Sequence, residues 1–293
     1  MSALRLEAPA KLNLSLAVTG RRPDGLHQLA GAWALLDLAD SLLLAPGGSG
    51  LRVEIPDAAP SDPPVPVSPD RNLAWAGLVA ALDGEPVDAC LTLAKRVPVA
   101  AGLGGGSSDA AAAWRLGRGW IGVEDEASAA DLARLALIGA DVPFFAARLP
   151  IAWVTGTGER VAPLDFAIAG REVLLAHPPF SLATAEVFAA LREAEWSGSA
   201  GQPTAKLGRN DLLAPACRLR PELDDLFRLV VSAGGEPHLT GSGPTTFVLS
   251  DDPDRIEAIA RRLLGAGVRV TRTRLRTEAA SIEVMGDEEE AEP

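Results

Sequence analysis

The residues best suited to chemistry form a glycine-rich turn in the segment 97–114, VPVAAGLGGGSSDAAAAW. Gly102 and the run 104–106 allow backbone angles that bring successive N–H groups onto one anion with no Cβ in the way. Ser107 and Ser108 are typical N-cap residues, and the alanines that follow favour a helix whose N-terminus adds positive charge at the same point. The turn therefore predicts a phosphate-binding site.

Two familiar phosphate motifs do not fit this turn. A Walker A loop requires a lysine after the last glycine, and none follows here. A dinucleotide fingerprint read from Gly102 puts Ser107 where the last glycine belongs. The alternative of a flexible turn before a helix fits a lone GxG better than it fits this longer pattern.

A candidate catalytic carboxylate stands in GADVPFF, residues 139–145. Asp141 lies at the mouth of a turn that Pro143 restrains and that two phenylalanines back. Such a carboxylate is fixed rather than solvated, and a role in stopping the preceding helix is the alternative.

Period-two hydrophobicity over the first 18 residues predicts a strand, or two strands broken at Pro9. Lys11, Asn13 and Ser15 fall on the opposite, exposed face, where they either face a ligand or line the wet side of an edge strand. His27 follows the Pro-Asp-Gly turn directly and is a ligand-binding candidate in a loop.

A second glycine-rich turn lies within HLTGSGPTTFVL, residues 238–249. Gly241, Ser242 and Gly243 separate two strand pieces, which indicates close approach by a ligand or by another backbone.

The periodicity beyond these motifs predicts an α+β protein in two halves. In the first half we expect strands at 51–55 and 91–93, helices at 72–82 and 131–138, and a loop or hairpin excursion over 45–69. A boundary falls within 154–163. In the second half strands at 172–176, 238–250 and 268–276 alternate with helices at 184–194, 222–233 and 254–264, as in a ferredoxin-like sandwich.

Composition limits the classes of function. The chain has 293 residues, 47% of them hydrophobic, and two cysteines, which argues for a folded protein without a disulfide framework or zinc site. Charges interrupt the N-terminal segment and no long apolar run occurs, so we expect a cytoplasmic protein with no membrane partner. A net charge of -12 argues against nucleic acid as a partner.

Three segments in this order, PAKLNLSL, AGLGGGSSDAA and TGSGPTTF, resemble the three motifs of the GHMP kinases. Within that superfamily GRRPDGLHQL, DRNLAWA, GADVPFF and GRNDLL resemble the family of 4-diphosphocytidyl-2-C-methyl-D-erythritol kinases, which serve the non-mevalonate route to isoprenoid precursors. The resemblance covers nearly the whole chain.

The resemblance implies a fold and a domain plan. It implies the two-domain GHMP kinase fold of the α+β class, with the active site between the domains. A ribosomal-protein-S5-like domain would span residues 1–155 and a ferredoxin-like domain residues 156–285. An acidic tail, which we expect to be disordered, would follow at 286–293.

The resemblance also implies a reaction and its residues. ATP would phosphorylate a tertiary 2-hydroxyl of a small molecule that carries cytidine diphosphate, giving the 2-phosphate and ADP. Lys11 and Asp141 would be the catalytic pair, and Mg²⁺ would be held through Ser107 or Ser108. The residues implied near ATP are Pro98, Val99, Ala100, Ala101, Gly102, Leu103, Gly104, Gly105, Gly106, Ser107, Ser108, Asn72 and Lys95. Those implied near the second substrate are Asn13, His27, Trp33, Phe188, Gly241, Ser242 and Gly243.

One position departs from the family pattern. Leu26 stands where these kinases usually have a tyrosine that stacks on cytosine, and the chain contains no tyrosine. Phe188 matches the family's other stacking aromatic residue, and Trp33 is near enough in sequence to contribute. The protein is expected to be a monomer or a weak homodimer.

Other functions compete with this one. A GHMP kinase for homoserine or mevalonate would share the three motifs but not the cytosine platform. A regulator on the same fold would bind nucleotide without catalysis, although the intact Lys11, Asp141 and GLGGGSS argue against that. An RNA-binding role is raised by the ribosomal likeness of the first domain and opposed by the acidic charge.

Overall fold

The computed structural model describes residues 2–55, 68–86, 88–165, 167–198 and 207–286. The expected acidic tail lies outside these residues except for Gly286. The first half of the chain supplies strands and helices that end at Pro163. In chain order they are β1 (Leu4–Asn13), β2 (Ala17–Arg21), β3 (His27–Pro46), β4 (Gly50–Glu54), α1 (Leu73–Ala81), β5 (Ala89–Ala94), α2 (Gly105–Trp120), α3 (Ala129–Leu135), α4 (Val142–Ala146), β6 (Ile151–Gly156) and β7 (Arg160–Pro163).

Strand β3 is the central strand of the first sheet and pairs with four other strands. Its first part pairs with β2 and β6, its middle with β1, and its end with β5. The pairing of β1 with β3 shifts between Pro9 and Lys11, a bulge within one strand, so of the two alternatives the single strand is confirmed and not the break at Pro9. The bulge sets the register that carries Lys11 and Asn13 toward the cleft described below.

Helices α1 and α2 pack very closely beneath this sheet. A Cβ at Gly77 of α1 would lie 2.0 Å from the carbonyl oxygen of Ala110 in α2, so only glycine permits the approach. Near the start of both helices, Leu73 lies 3.4 Å from the position that a Cβ on Gly106 would take. The two helices therefore begin side by side.

The second half builds a separate antiparallel sheet. Its elements are β8 (Glu172–His177), α5 (Thr184–Ala190), α6 (Leu213–Leu219), α7 (Glu222–Ser232), β9 (His238–Leu239), β10 (Thr246–Ser250), α8 (Pro253–Gly265) and β11 (Arg269–Arg274). The strand order β11-β8-β10-β9 confirms the ferredoxin-like arrangement. The core against this sheet is formed largely by α7 and α8 through residues such as Leu226, Val230 and Ile259.

The structure corrects several expectations. Strand β3 and helix α6 were not expected, whereas β4 confirms the strand expected at 51–55. The two strand pieces expected within 238–250 are confirmed as β9 and β10, although the turn between them is longer than three residues and spans 240–245. His27 begins β3 and is not in a loop.

The hairpin of β6 and β7 crosses the expected boundary at residue 155. Strand β6 pairs with β3 from Leu29↔Gly156 to Ala34↔Ile151, so the hairpin belongs to the first sheet up to Pro163. The last strand, β12 (Glu283–Val284), pairs with β1 and also returns to the first sheet. The chain therefore crosses between the two sheets more than once.

Among the described residues, the helices are all too short or too polar to cross a membrane.

A buried histidine of β8 joins β11 to the turn between β9 and β10. The ring nitrogens of His177 lie 3.3 Å and 3.1 Å from the hydroxyl oxygens of Thr245 and Thr271. Burial, with a smaller effect of Arg269, lowers the pKa of His177 to about 4. His177 is therefore neutral when the protein is folded near neutral pH.

We expect this histidine to make folding acid-sensitive. Because its pKa is lower when folded than unfolded, the unfolded chain binds the extra proton between the ordinary value of 6.5 and about 4, and stability falls as pH drops through that window. Between about pH 7 and about pH 5, the free energy of unfolding measured with urea should fall by roughly 2 kcal/mol more in the wild type than in His177→Gln. Identical losses in the two proteins would contradict the expectation.

Candidate active site

The main cleft of the molecule lies between the two sheets and has a volume of about 580 Å³. The end of β1, the glycine-rich turn before α2, the start of α4 and the turn at 240–243 all contribute side chains to it. Three motifs that are far apart in sequence therefore meet at one place.

The glycine-rich turn runs into α2 at Gly105, after Gly104 caps the helix in the left-handed region at φ 71°. The first N–H groups of a helix have no acceptor within it, so those of Gly105, Gly106 and Ser107 are available to an anion in the cleft. Ser108 differs from expectation because its N–H donates to the carbonyl of Gly104 at 2.9 Å. Its hydroxyl is buried and does not line the cleft, whereas Ser107 does.

The second glycine turn is hydrogen-bonded to the first and to the end of β1. The backbone N–H of Asn13 donates to the Thr240 hydroxyl oxygen at 3.1 Å, and that hydroxyl donates to the carbonyl of Gly102 at 3.3 Å. Gly102 has φ 76°, and a Cβ there would lie 2.5 Å from the carbonyl oxygen of Thr240. Neither turn could keep its position if Gly102 carried a side chain.

Lys11 and Asp141 are brought together at the mouth of the phosphate turn. The Lys11 ammonium lies 3.5 Å from the Asp141 carboxylate and 2.6 Å from the side-chain oxygen of Asn13. Asp141 occupies the N-cap position of α4, yet its side chain makes no capping hydrogen bond. The carboxylate is directed at Lys11 instead, and at 30% exposed it remains open to the cleft.

The environment of Lys11 differs from the wet strand face that was an alternative for it. Lys11, Asn13 and Ser15 are all buried, because the two glycine turns cover the end of β1. Burial lowers the pKa of the Lys11 ammonium from its usual value, and Asp141 opposes this in part. The Lys11 ammonium also lies 5.0 Å from the centre of the Trp33 ring.

Trp33 lines the cleft and packs against Lys11 there. Trp33 is 2% exposed, with Lys11 over its ring and Phe144 packed edge-on against it. Its expected contribution to stacking on the base stays a prediction, and this burial favours a supporting contact with Lys11 instead.

Asn13 carries an unsatisfied group into the cleft. Its side-chain oxygen accepts from Lys11, while its Nδ2 group is buried without a hydrogen-bond partner among the described residues. Asn13 also lines the cleft. A buried amide donor without a partner carries a cost that a ligand oxygen would remove.

Lys95 lies in the cleft wall but is neutralised there. Its ammonium lies 2.5 Å from Asp40 and 2.8 Å from Asp109, and all three side chains are buried. Burial by itself lowers the pKa of Lys95, yet Asp109 and Asp40 outweigh it and the pKa is raised. Burial raises the pKa of Asp109 well above its usual value, against the effect of Lys95.

An aromatic cluster lies on the other side of the cleft, at α5. The Phe188 ring lines the cleft, whereas the predicted residue His27 does not line it but stacks on Phe188, with ring centres 5.0 Å apart. Trp196 meets the His27 ring edge-on at 5.8 Å. Leu26, 54% exposed, is not part of this cluster. Burial and the nearby Arg21 lower the pKa of His27, which favours a neutral ring.

Most of the remaining predicted residues lie in the cleft wall. Gly241 and Ser242 line the cleft, while Gly243 does not and packs against Leu239. Asn72 lines the cleft and caps α1 by accepting from the N–H of Ala74 at 2.9 Å. The turn residues Pro98, Val99, Ala100, Ala101 and Leu103 also line it.

Sequence reasoning missed the residues that hold the turns in place. The Asn210 side chain donates to the carbonyls of Leu239 and Gly241, and Asp40 accepts from the N–H groups of Arg96 and Val97. Asn210 lies in GRNDLL, which offered a signal through the family resemblance. Asp40 offered none, because its partners lie more than fifty residues away in sequence.

Comparisons with known proteins agree with this geometry. Residues 72–148 match the GHMP kinases N terminal domain, and residues 184–269 match the GHMP kinases C terminal domain. The chain is 37% identical over 274 residues to a 4-diphosphocytidyl-2-C-methyl-D-erythritol kinase of Paracoccus denitrificans, covering 89% of this chain and 92% of the relative. The kinase of the same name from Anaeromyxobacter dehalogenans is 39% identical over 261 residues, covering 82% and 78%.

Solved structures give the same picture at two levels. A crystal structure of 4-(cytidine 5'-diphospho)-2C-methyl-D-erythritol kinase superposes with a TM-score of 0.73 at 33% identity, covering 92% of this chain and 98% of that one. A homoserine kinase from Cytophaga hutchinsonii superposes with a TM-score of 0.66 at 16% identity, covering 97% and 98%. The second likeness is one of fold alone.

Proposed function

This chain belongs to the family of 4-diphosphocytidyl-2-C-methyl-D-erythritol kinases among the GHMP kinases, and from that premise we propose that Lys11 and Asp141 carry its reaction in the cleft. The protein is an ATP-dependent kinase of the methylerythritol route to isoprenoid precursors. Its acceptor is the 2-hydroxyl of 4-diphosphocytidyl-2-C-methyl-D-erythritol, and its products are the 2-phosphate and ADP.

The arrangement of Lys11 between two groups supports this proposal most strongly. The ammonium lies between the Asp141 carboxylate and the Asn13 side-chain oxygen, directly beside the N-terminus of α2. A phosphoryl group that rests on the helix N-terminus would meet a cation, and an acceptor hydroxyl beside it would meet a carboxylate. The unpaired amide group of Asn13 would donate to the acceptor.

The residues then divide the chemistry. The acceptor oxygen bonds to the γ-phosphorus while the bond from that phosphorus to the ADP oxygen breaks, through a loose transition state. Asp141 orients the hydroxyl and takes its proton. Lys11 holds Asp141 in place and neutralises the moving phosphoryl group. The N–H groups of Gly105, Gly106 and Ser107 bind the phosphate oxygens.

The cleft also offers a fitting place for Mg²⁺. Ser107 lines the cleft and presents a hydroxyl oxygen, and Mg²⁺ takes oxygen ligands. The Ser107 hydroxyl would hold the ion there. Bound Mg²⁺ supplies neutralisation of the charge that develops on the departing diphosphate. Ser107, rather than the buried Ser108, is therefore the residue we propose to hold it.

We also propose the wider setting of the protein. The first domain would extend to Pro163 and include the returning β12, and the second would span 164–276. The two cysteines, Cys90 and Cys217, are both free, which supports a cytoplasmic location. A monomer or weak homodimer remains our proposal for the oligomeric state.

Phe188 gives a test of where the cytidine base binds. We expect Phe188→Ala to raise KM for the cytidine substrate about tenfold or more, because stacking a base on an aromatic ring contributes roughly 1–3 kcal/mol. KM for ATP should change less than about twofold, since the nucleotide phosphates lie on α2 in the other half of the chain. Steady-state kinetics with each substrate varied in turn would measure both.

Phe180→Ala is the matched control for this variant. Phe180 is another half-buried phenylalanine packed on the same core cluster, and it does not line the cleft. It should leave both KM values unchanged. Equal rises for both substrates in Phe188→Ala would contradict the stacking role and indicate collapse of the second half.

A substrate panel tests the proposed function itself. ADP release should occur with Mg-ATP and 4-diphosphocytidyl-2-C-methyl-D-erythritol, and not with homoserine or mevalonate. Turnover of homoserine or mevalonate would assign that alcohol as the substrate instead. ATP binding without turnover on any of the three would favour a regulator on the same fold.

A further inference from the structure

The charge balance of the cleft poses an electrostatic problem. ATP carries several negative charges, and the protein it enters has a net charge of -12. Among the described side chains that line the cleft, Lys11, Arg71 and Lys95 are the cations, and Asp109 and Asp141 are the carboxylates. The nucleotide needs positive charge that these carboxylates do not already neutralise.

Two of the three cations are already paired with carboxylates. Lys95 lies within 2.8 Å of two buried carboxylates, Asp40 and Asp109. Lys11 lies 3.5 Å from Asp141 and donates to Asn13. In the described part of the chain Arg71 makes no ion pair, so it is the cleft cation whose charge is not already neutralised.

Arg71 also lies at the end of the cleft where α2 begins. It is the last residue of a short 3-10 turn, 69–71, in which its N–H donates to the carbonyl of Ser68 at 3.1 Å. Asn72 and Leu73 follow and begin α1. Since Leu73 lies 3.4 Å from the Cβ position of Gly106, Arg71 is anchored next to the N-terminus of α2.

The packing of the two helices fixes this placement. Gly77 allows α1 to lie against Ala110 of α2, one turn beyond the contact of Leu73 with Gly106. The helices therefore run in the same direction, and both N-termini face the cleft together. A guanidinium at the start of α1 can then reach an anion that rests on the start of α2.

We propose that Arg71 is a nucleotide-binding residue of this cleft and that its guanidinium contacts the phosphate chain of ATP and ADP. The inference rests on the proposed kinase function and adds a residue of the DRNLAWA segment that was not among those implied near ATP. Guanidinium groups suit phosphate oxygens because they offer several N–H donors in a fixed plane. The cytidine diphosphate of the acceptor is not the proposed partner, because its base would stack on Phe188, which lines the other side of the cleft.

Calorimetric titration of the full-length protein with ADP, adenosine and CDP tests the proposal without requiring turnover. We expect Arg71→Gln to raise Kd for ADP roughly tenfold, as loss of one charge-assisted contact predicts. Kd for adenosine and Kd for CDP should stay unchanged. Arg71→Lys should recover part of the ADP affinity, because it keeps the charge but not the planar fork.

Arg96→Gln is the matched control for charge. Arg96 is exposed on the strand end that leads to the glycine turn, and it does not line the cleft. Its loss should leave ADP affinity unchanged. An equal loss in Arg96→Gln would mean that net charge, rather than contact, explains the effect and would overturn the proposal.

The remaining outcomes are separable. Unchanged ADP affinity in Arg71→Gln overturns the assignment of Arg71 and leaves the kinase function intact. If Arg71→Gln lost as much affinity for adenosine as for ADP, Arg71 would contact the base. If it lost affinity for CDP, Arg71 would contact the acceptor. Either result overturns the proposed phosphate contact. Absence of ADP binding by the wild type would instead overturn the kinase proposal, and with it this inference.

Discussion

Asp141→Asn should lower kcat by about 10²- to 10⁴-fold while leaving ATP affinity nearly intact. The amide keeps the size of the carboxylate and cannot accept the hydroxyl proton. It also removes the negative charge that faces the Lys11 ammonium at 3.5 Å. Because the side chain makes no capping hydrogen bond to α4, its replacement should not cost the fold a cap. Single-turnover kinetics together with ATP titration would separate the two effects.

Asp252→Asn is the control for this prediction. Asp252 also occupies a helix N-cap position, that of α8, where it accepts from the N–H groups of Asp254 and Arg255. Asparagine caps helices about as well as aspartate, so this variant should keep full activity. Near-parental turnover in Asp141→Asn would remove Asp141 from the catalytic role.

The two buried lysines of the cleft should respond to the same substitution to different extents. We expect Lys11→Met to lower kcat by about 10²- to 10³-fold, because it removes a preorganised cation from the transferring phosphoryl group. Its free energy of unfolding should fall by no more than about 1–3 kcal/mol, because the buried side-chain oxygen of Asn13 loses its close donor. Part of that cost is offset, since burial already disfavours the charged form of Lys11, as its lowered pKa indicates, and methionine fills the same space without a charge.

Lys95→Met should lower the free energy of unfolding by a larger amount. It leaves Asp40 and Asp109 buried without their cation, and breaking a buried ion pair from one side costs about 3–5 kcal/mol. Urea unfolding and kinetics on both variants would test the pair. A Lys11→Met protein as unstable as Lys95→Met, or one that keeps full turnover, would contradict the roles assigned here.

Local chemistry made the glycine turn and its helix predictable. Four glycines, two serines and an alanine run lie within one short segment, and no distant contact is needed to interpret them. The exact start of α2 was less predictable. Gly104 adopts the left-handed cap, so the helix begins at Gly105 and both serines fall inside its first turn. Successive helical side chains point about 100° apart, which is why Ser107 lines the cleft and Ser108 does not.

Long-range pairing explains what the sequence concealed. Strand β3 has apolar residues on both faces over much of its length, so it lacks the alternation that marks a half-buried strand. The hairpin of β6 and β7 belongs to the first sheet only because β6 returns to β3. The burial of Lys11 and Asn13 depends in part on Thr240, which lies 227 residues from Asn13 in sequence. The side chains at the site were identifiable, but their surroundings were not.

Phosphorus NMR of the reaction mixture tests most directly whether the cleft transfers the γ-phosphoryl group of ATP to the tertiary 2-hydroxyl of the cytidine substrate. We expect one new phosphomonoester for each ADP formed, with the diphosphate signals of the substrate intact. The new signal should show no three-bond coupling to hydrogen, because a tertiary carbon bears none. A signal split by such coupling would place the phosphate on another hydroxyl, and release of inorganic phosphate in its place would contradict transfer altogether.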